Sequence, residues 1–171
     1  MEIMENVGIE LCATAHHKND CAETVIMNFL RGSGISGLKG IPYKRDNFIR
    51  PLLCVCREDI EEFCKCEGLS YVTDKTNSET KYTRNKIRNL LIPYLKKEYN
   101  PNLVDTITQN AEVIAYDNDY LDLVAEREFK AIDNNAVEIS RIEDMHIAIA
   151  MRVVRKMIEK ITGLTDISAR H

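Results

Sequence analysis

A short apolar run followed at once by a helical pattern constrains this chain more than any other feature. Ile9-Glu-Leu-Cys-Ala-Thr-Ala15 is brief and mostly apolar, as a buried strand is, and it leads through His16-His17 into a helical pattern from about Asp20 to Leu30. Ala22, Val25, Ile26, Phe29 and Leu30 share one face of that helix, and Gly32 and Gly34 end it. The order is strand, loop, helix, which predicts an α/β fold. In open α/β sheets ligands bind at the loop that follows a strand's carboxyl end, so residues 16–24 are the first place to look for a site.

Beyond that unit the pattern changes character. Gly40 to Arg50 reads as two short extended pieces around the turn Arg45-Asp46-Asn47, followed by Pro51-Leu52-Leu53. A helix from about Arg57 to Glu67 stops at Gly68 and puts Ile60, Phe63 and Cys64 on one side. Thr73 to Thr80 is polar and loop-like, and a helix from about Thr83 is interrupted or bent at Pro93. Asn100-Pro101 then opens a long helix to about Asp133, Val137 to Ser140 has the pattern of a short strand, and Ile142 to Ile161 is helical up to Gly163. The first hundred residues mix strands, glycines and short helices, while the rest is almost wholly helical. The domain boundary is therefore expected near Glu98 to Asn102, dividing the chain into 1–98 and 99–171.

Composition excludes several classes. The 171 residues carry ordinary proportions of apolar and charged side chains, so the chain is not a disordered tail. No stretch approaches the roughly 18 uncharged apolar residues of a membrane span, and Met1 to Glu10 lacks a basic start followed by an apolar run. A cytoplasmic protein is expected. A net charge of −4 argues against a dedicated nucleic-acid binder, yet the segment 81–97 holds six basic residues and no acid, and a polyanion could meet it. Such a block also suits a solvated helix face. The six cysteines include two Cys-x-Cys pairs, Cys54/Cys56 and Cys64/Cys66. Positions two apart on a helix point nearly opposite ways, so Cys64 and Cys66 do not chelate one ion easily, and all six read as reduced thiols with no metal site.

Three clusters could carry chemistry. In His16-His17-Lys18-Asn19-Asp20-Cys21-Ala22-Glu23-Thr24, Asp20, Glu23 and Thr24 share one face of the helix start, within reach of whatever the histidines approach. Two acids there are also what capping and the helix dipole favour. Adjacent histidines chelate zinc poorly, so the carboxylates suit magnesium or a substrate ammonium better. Arg31-Gly32-Ser33-Gly34 combines a phosphate-pairing side chain with glycines that let backbone approach a ligand, although it also serves as a plain helix stop. Tyr82-Thr-Arg-Asn-Lys-Ile-Arg88 sets Arg84 and Arg88 one turn apart, with Asn77 and Asn85 near in sequence, an arrangement suited to phosphate or carboxylate.

Together these motifs resemble the tRNA(Ile)-lysidine synthetase family of N-type ATP pyrophosphatases, the PP-loop enzymes. The resemblance runs in order through Ala13 to Thr24, Leu30 to Gly40, Ile49 to Leu53, Asp74 to Asn77 and Tyr82 to Arg88, and closes near Pro93 and Asn100-Pro101. It implies the later part of a parallel-sheet ATP pyrophosphatase domain followed by a helical segment. The implied activity is a carbon–nitrogen ligase. With ATP and Mg2+ it adenylates the wobble cytidine of the isoleucine tRNA with anticodon CAU, and the ε-amine of L-lysine then displaces AMP. On this resemblance Asp20 and Glu23 contact the lysine amine or the adenylated base. His16 and His17 shape that pocket, and Arg84 and Arg88 meet AMP, pyrophosphate or tRNA phosphate. Arg31 to Gly34, with Asn77 and Asn85, border the nucleotide or RNA cleft.

Departures accompany the match. Asn19 and Cys21 stand where the family usually has a second acid and a glutamine, and the family's Ser-Gly-Gly-x-Asp-Ser loop occurs nowhere in these residues. The expectation is an internal piece of a longer enzyme, with little ligase activity of its own and an uncovered sheet edge that favours a homodimer or aggregation. Two other readings stay open. One is a tRNA thiolase of the same superfamily, and the other is a non-catalytic tRNA-binding remnant that uses the basic block.

Overall fold

A computed structural model describes residues 10–71, 83–132 and 136–163. Its contacts separate two compact units, Met1–Ala115 and Tyr116–His171. The expected loop at Thr73 to Thr80, including Asn77, and the start of the basic motif at Tyr82 lie outside the described residues.

In the first unit β1 (Cys12–Ala13) runs parallel to β3 (Phe48–Ile49), with Cys12 opposite Phe48 and Ala13 opposite Ile49. β2 (Lys44–Arg45) pairs antiparallel with β3, giving a small mixed sheet in the order β1-β3-β2. The strand expected over Ile9 to Ala15 is thus shorter, and the two extended pieces form a hairpin. Asp46 turns it at φ +53, a left-handed conformation that Asp tolerates because its short side chain can bond locally.

β1 leads into α1 (Lys18–Leu30), which begins two residues earlier than the periodicity predicts. The reason is a cap: the His17 backbone N–H donates to Asp20 Oδ2 at 3.1 Å, satisfying a donor at the helix start. Of the apolar face read from sequence, Ala22 is fully buried, but Phe29 and Leu30 are exposed at the far end. Gly32 adopts φ +76 after the helix, and Gly34 starts the short α2 (Ile35–Leu38). Farther on, Gly40 at φ +72 is wedged over Cys21: a Cβ there would lie 2.6 Å from the cysteine Sγ.

A 3-10 turn over Pro51–Cys54 precedes α3 (Arg57–Cys66), whose first free backbone donor, Arg57 N–H, is capped by Asn19 Oδ1 at 3.0 Å. Next come α4 (Thr83–Lys86), a π-turn over Ile87–Leu91 and α5 (Ile92–Glu98). The helix therefore passes through Pro93 rather than stopping. The wider turn accommodates a ring that would otherwise crowd the carbonyl four residues back. Ala22, Ile87, Ile92 and Val104 form the buried core, joined by Ile26, Met27, Leu91 and Ile107. Val104 and Ile107 come from α6 (Leu103–Lys130), which also ties Asp105 to Lys18 Nζ at 2.8 Å.

The second unit takes up the later part of α6, then α7 (Ile139–Glu143) and α8 (Ile147–Thr162). Two expectations are corrected here. Ile139 and Ser140, read as part of a strand over Val137 to Ser140, open α7 instead. The β-branched residues gave the signal, but no strand stands beside them among the described residues to complete a ladder. The helix from Ile142 to Ile161 is broken, because His146 Nδ1 accepts the Ala148 N–H at 3.2 Å and so caps a new helix. Ala125, Ile149 and Val153 form this unit's core. Asn118, fully buried, donates to Asp122 Oδ2 at 2.7 Å and accepts from Arg152 Nη2 at 3.3 Å. Among the described residues no helix is long and apolar enough to cross a membrane, and all six cysteines are free thiols.

Candidate functional site

Residues 61 to 68 positions apart in sequence meet at the start of α1. Glu23 is 1% exposed and fully ionic in its surroundings: its Oε1 accepts Arg88 Nε at 2.6 Å, and its Oε2 accepts Arg84 Nε at 2.9 Å and Arg88 Nη2 at 2.8 Å. Asp20 Oδ1 accepts from Nη2 of Arg84 at 3.2 Å and of Arg88 at 2.8 Å. The i, i+3 spacing on α1 aims both acids one way, and the i, i+4 spacing across α4 and the π-turn aims both arginines back at them. Burying a carboxylate this completely costs several kcal/mol unless charged donors compensate, and here two guanidinium groups do so. The hydrogen bond to Glu23 also holds Arg88 more firmly protonated than usual, against the opposing effect of burial.

His17 closes the cluster with Nε2 at 3.3 Å from Asp20 Oδ2. Burial lowers its pKa below the ordinary 6.5, outweighing the pull of Asp20 and Glu23 in the other direction, with Arg88 and Arg57 adding to the lowering. Burial thus favours the neutral ring, whose Nε2 faces Asp20 Oδ2 while Nδ1 is buried without a hydrogen-bond partner among the described residues. A histidine held neutral favours the fold above its unfolded pKa and withdraws that support as pH falls towards the folded value. Urea midpoints should accordingly drop as pH decreases below about 6.5, and His17→Gln should flatten that limb. An unchanged pH profile in the variant would remove this role for His17.

Beside the cluster is a cavity of about 330 Å3 lined by Ala15, His16, Asp20, Arg84, Asn85 and Arg88. His16 Nδ1 is paired with Thr14 Oγ1 at 2.9 Å, which fixes the ring against the strand end. Each guanidinium carries five N–H donors, and the carboxylates engage only Nε and Nη2 of each arginine. The cavity wall thus combines two clamped cations with an imidazole and an amide, a lining that suits a phosphate group. It does not suit a magnesium ion, because all four carboxylate oxygens already accept N–H donors and the neighbouring cations would repel one. Among the described residues no three His, Cys, Asp or Glu groups converge to hold a metal.

These residues fall inside a match to the PP-loop domain model that spans residues 1–95. The chain belongs to the PP-loop domain family. Three named relatives place it more closely. It is similar to the tRNA(Ile)-lysidine synthase of Clostridioides difficile, 43% identical over 99% of this chain and 38% of the relative. It is similar to that of Caldanaerobacter subterraneus, 39% identical over 96% of this chain and 36% of the relative. The synthase of Parabacteroides distasonis is 45% identical over 65% of this chain and 25% of the relative. The chain therefore spans little more than a third of the length of the first two.

Within this PP-loop domain the sequence candidates separate. Asp20, Glu23, His17, Arg84 and Arg88 come together, and His16 and Asn85 join them on the cavity wall. Arg31, Gly32, Ser33 and Gly34 are not brought to that wall. Eleven residues of helix put Arg31 about 16 Å along the axis from Asp20, and the segment turns the chain from α1 into α2. The departures from the family pattern have structural work: Asn19 caps α3, and Cys21 Sγ accepts the Ile41 N–H at 3.5 Å. Sequence reasoning missed Thr14 as the partner of His16 and Asp105 as the partner of Lys18. The second pair is separated by 87 residues and leaves no local signal.

Proposed function

We propose that this chain is part of a tRNA(Ile)-lysidine synthetase, an ATP-dependent carbon–nitrogen ligase. On this reading residues 1–98 supply the later part of the catalytic domain and 99–171 the helices that follow it. A cytidine oxygen attacks the α-phosphorus of ATP and pyrophosphate leaves. The lysine ε-nitrogen then forms the new carbon–nitrogen bond as the bond to AMP breaks. Arg84 and Arg88 donate to phosphate oxygens where charge develops, and Asp20 and Glu23 hold them in place beforehand, so little reorganisation is needed at reaction. Asp20 and Glu23, whose oxygens are taken by N–H donors, act through the arginines rather than on the lysine amine, while His16 and Asn85 border the base. Magnesium would have to arrive with the triphosphate rather than on these carboxylates, and would then supply neutralisation of phosphate charge. The partners are L-lysine, the isoleucine tRNA with anticodon CAU and a second copy of the chain, all in the cytoplasm.

The single observation that carries this reading is the carboxylate–guanidinium quartet beside a cavity of about 330 Å3, within the segment matched to relatives named tRNA(Ile)-lysidine synthase. The test is a chimera in which this chain replaces the matching segment of the Clostridioides difficile relative. It should release AMP from ATP in a lysine-dependent and CAU-tRNA-dependent way, and Arg84→Gln in the chimera should slow turnover. A folded chimera with no lysine-dependent AMP release, or one that Arg84→Gln leaves at full rate, would overturn the reading.

A further inference from the structure

Arg88 has a second outlook. Besides the cavity above, it lines a separate groove of about 510 Å3 whose rim also carries Arg57, Lys96 and Lys97, with Glu58 as its one acid. Ile92, Pro93 and Pro101 give the same groove an apolar floor. The rim cations are lightly held. Lys96 stands 3.9 Å from Glu58, and Lys97, 82% exposed, pairs with its neighbour Glu98 at 3.1 Å. Arg57 pairs with Glu61 at 2.7 Å on its own helix, with both side chains more than a third exposed. Surface pairs of this kind contribute about 0–1 kcal/mol, so an incoming phosphate exchanges them at little cost.

We propose that this groove receives the ribose-phosphate backbone of single-stranded RNA, continuous with the nucleotide whose base occupies the first cavity, with Arg88 as the shared wall. The inference rests on the lysidine reading for the identity of that base. A mononucleotide would occupy the first cavity alone. A polymer needs a second anionic site alongside the first, and a cationic rim over an apolar floor matches it: the rim takes phosphates, and the proline rings pack against ribose or base faces.

The experiment measures anisotropy of a labelled RNA hairpin carrying the CAU anticodon loop, titrated with the full 171-residue chain and with Lys96→Gln/Lys97→Gln, across about 50 to 200 mM salt. Circular dichroism confirms that the variant folds. The expected result is about tenfold weaker binding, with the slope of log affinity against log salt reduced by about 1.4, two contacts at roughly 0.7 each for a single strand. No RNA binding by the parent chain, or unchanged affinity and slope in the variant, overturns the groove. So does a variant that loses inorganic tripolyphosphate instead of RNA, since the site would then serve a free nucleotide. A hairpin with another anticodon separates the two ideas. If it binds as well as CAU and is weakened equally by the variant, the groove stands and the lysidine reading falls. CAU-selective binding that ignores the variant does the reverse.

Discussion

Glu23→Gln is expected to lower the unfolding free energy by about 3 kcal/mol, at the lower end of the range for breaking a buried ion pair from one side. The substitution keeps size and removes charge, so the loss reports electrostatics rather than a cavity. Gln offers one acceptor oxygen where Glu23 now accepts three N–H donors, and its amide N–H2 would face the guanidinium groups. Arg84 and Arg88, with side chains 39% and 20% exposed, recover some hydration, which is why the lower end applies. The check is a urea titration in which the midpoint falls and the slope stays constant. A shift below about 1 kcal/mol would mean that the arginines do not depend on Glu23, and the preorganised clamp would have to be abandoned.

Gly40→Ala is expected to cost about 3 kcal/mol through two separable effects. A left-handed backbone disfavours any Cβ by roughly 1–2 kcal/mol, and forcing a methyl against Cys21 Sγ at 2.6 Å adds overpacking, typically about 1–3 kcal/mol. Cys21→Ala in the same chain removes the sulfur and should recover about 1 kcal/mol of the Gly40→Ala loss, while sacrificing the acceptor for Ile41 N–H. Thermal or urea unfolding of the two single variants and the double variant closes the cycle. Strict additivity would show that the sulfur contact is not felt. A neutral Gly40→Ala would mean that the turn relaxes away from its left-handed geometry.

Local signals served the sequence well, and long-range ones did not. The glycine stops, the hairpin around Asp46 and the pairing of arginines one turn apart all rest on neighbours within a few residues, where spacing and side-chain type act directly. The destination of Asp20 and Glu23 was not legible in that way. Their residue types suited magnesium or an ammonium as well as a cap, and only the fold brings α4 and the π-turn across 61 to 68 positions to engage them. Phe29 and Leu30 show the same limit from the other side. They share a helical face with Ala22 yet lie past the point where neighbouring elements cover it. The strand signal at Val137 to Ser140 reflected β-branched composition without a pairing partner, and composition alone does not supply one.

The π-turn over Ile87–Leu91 acts as a phase shifter between two charged clusters. In an unbroken α-helix, eight residues would leave Lys96 turned about 80° from Arg88. One extra residue in the wide turn takes back roughly 100°, so the two side chains finish within about 20° of each other. Arg88 and Lys96 face the same groove for that reason. Deleting a single residue from this turn would leave seven residues of regular winding between the two, which also ends about 20° off, so the turn absorbs one residue of chain length without disturbing the alignment of Arg88 with Lys96.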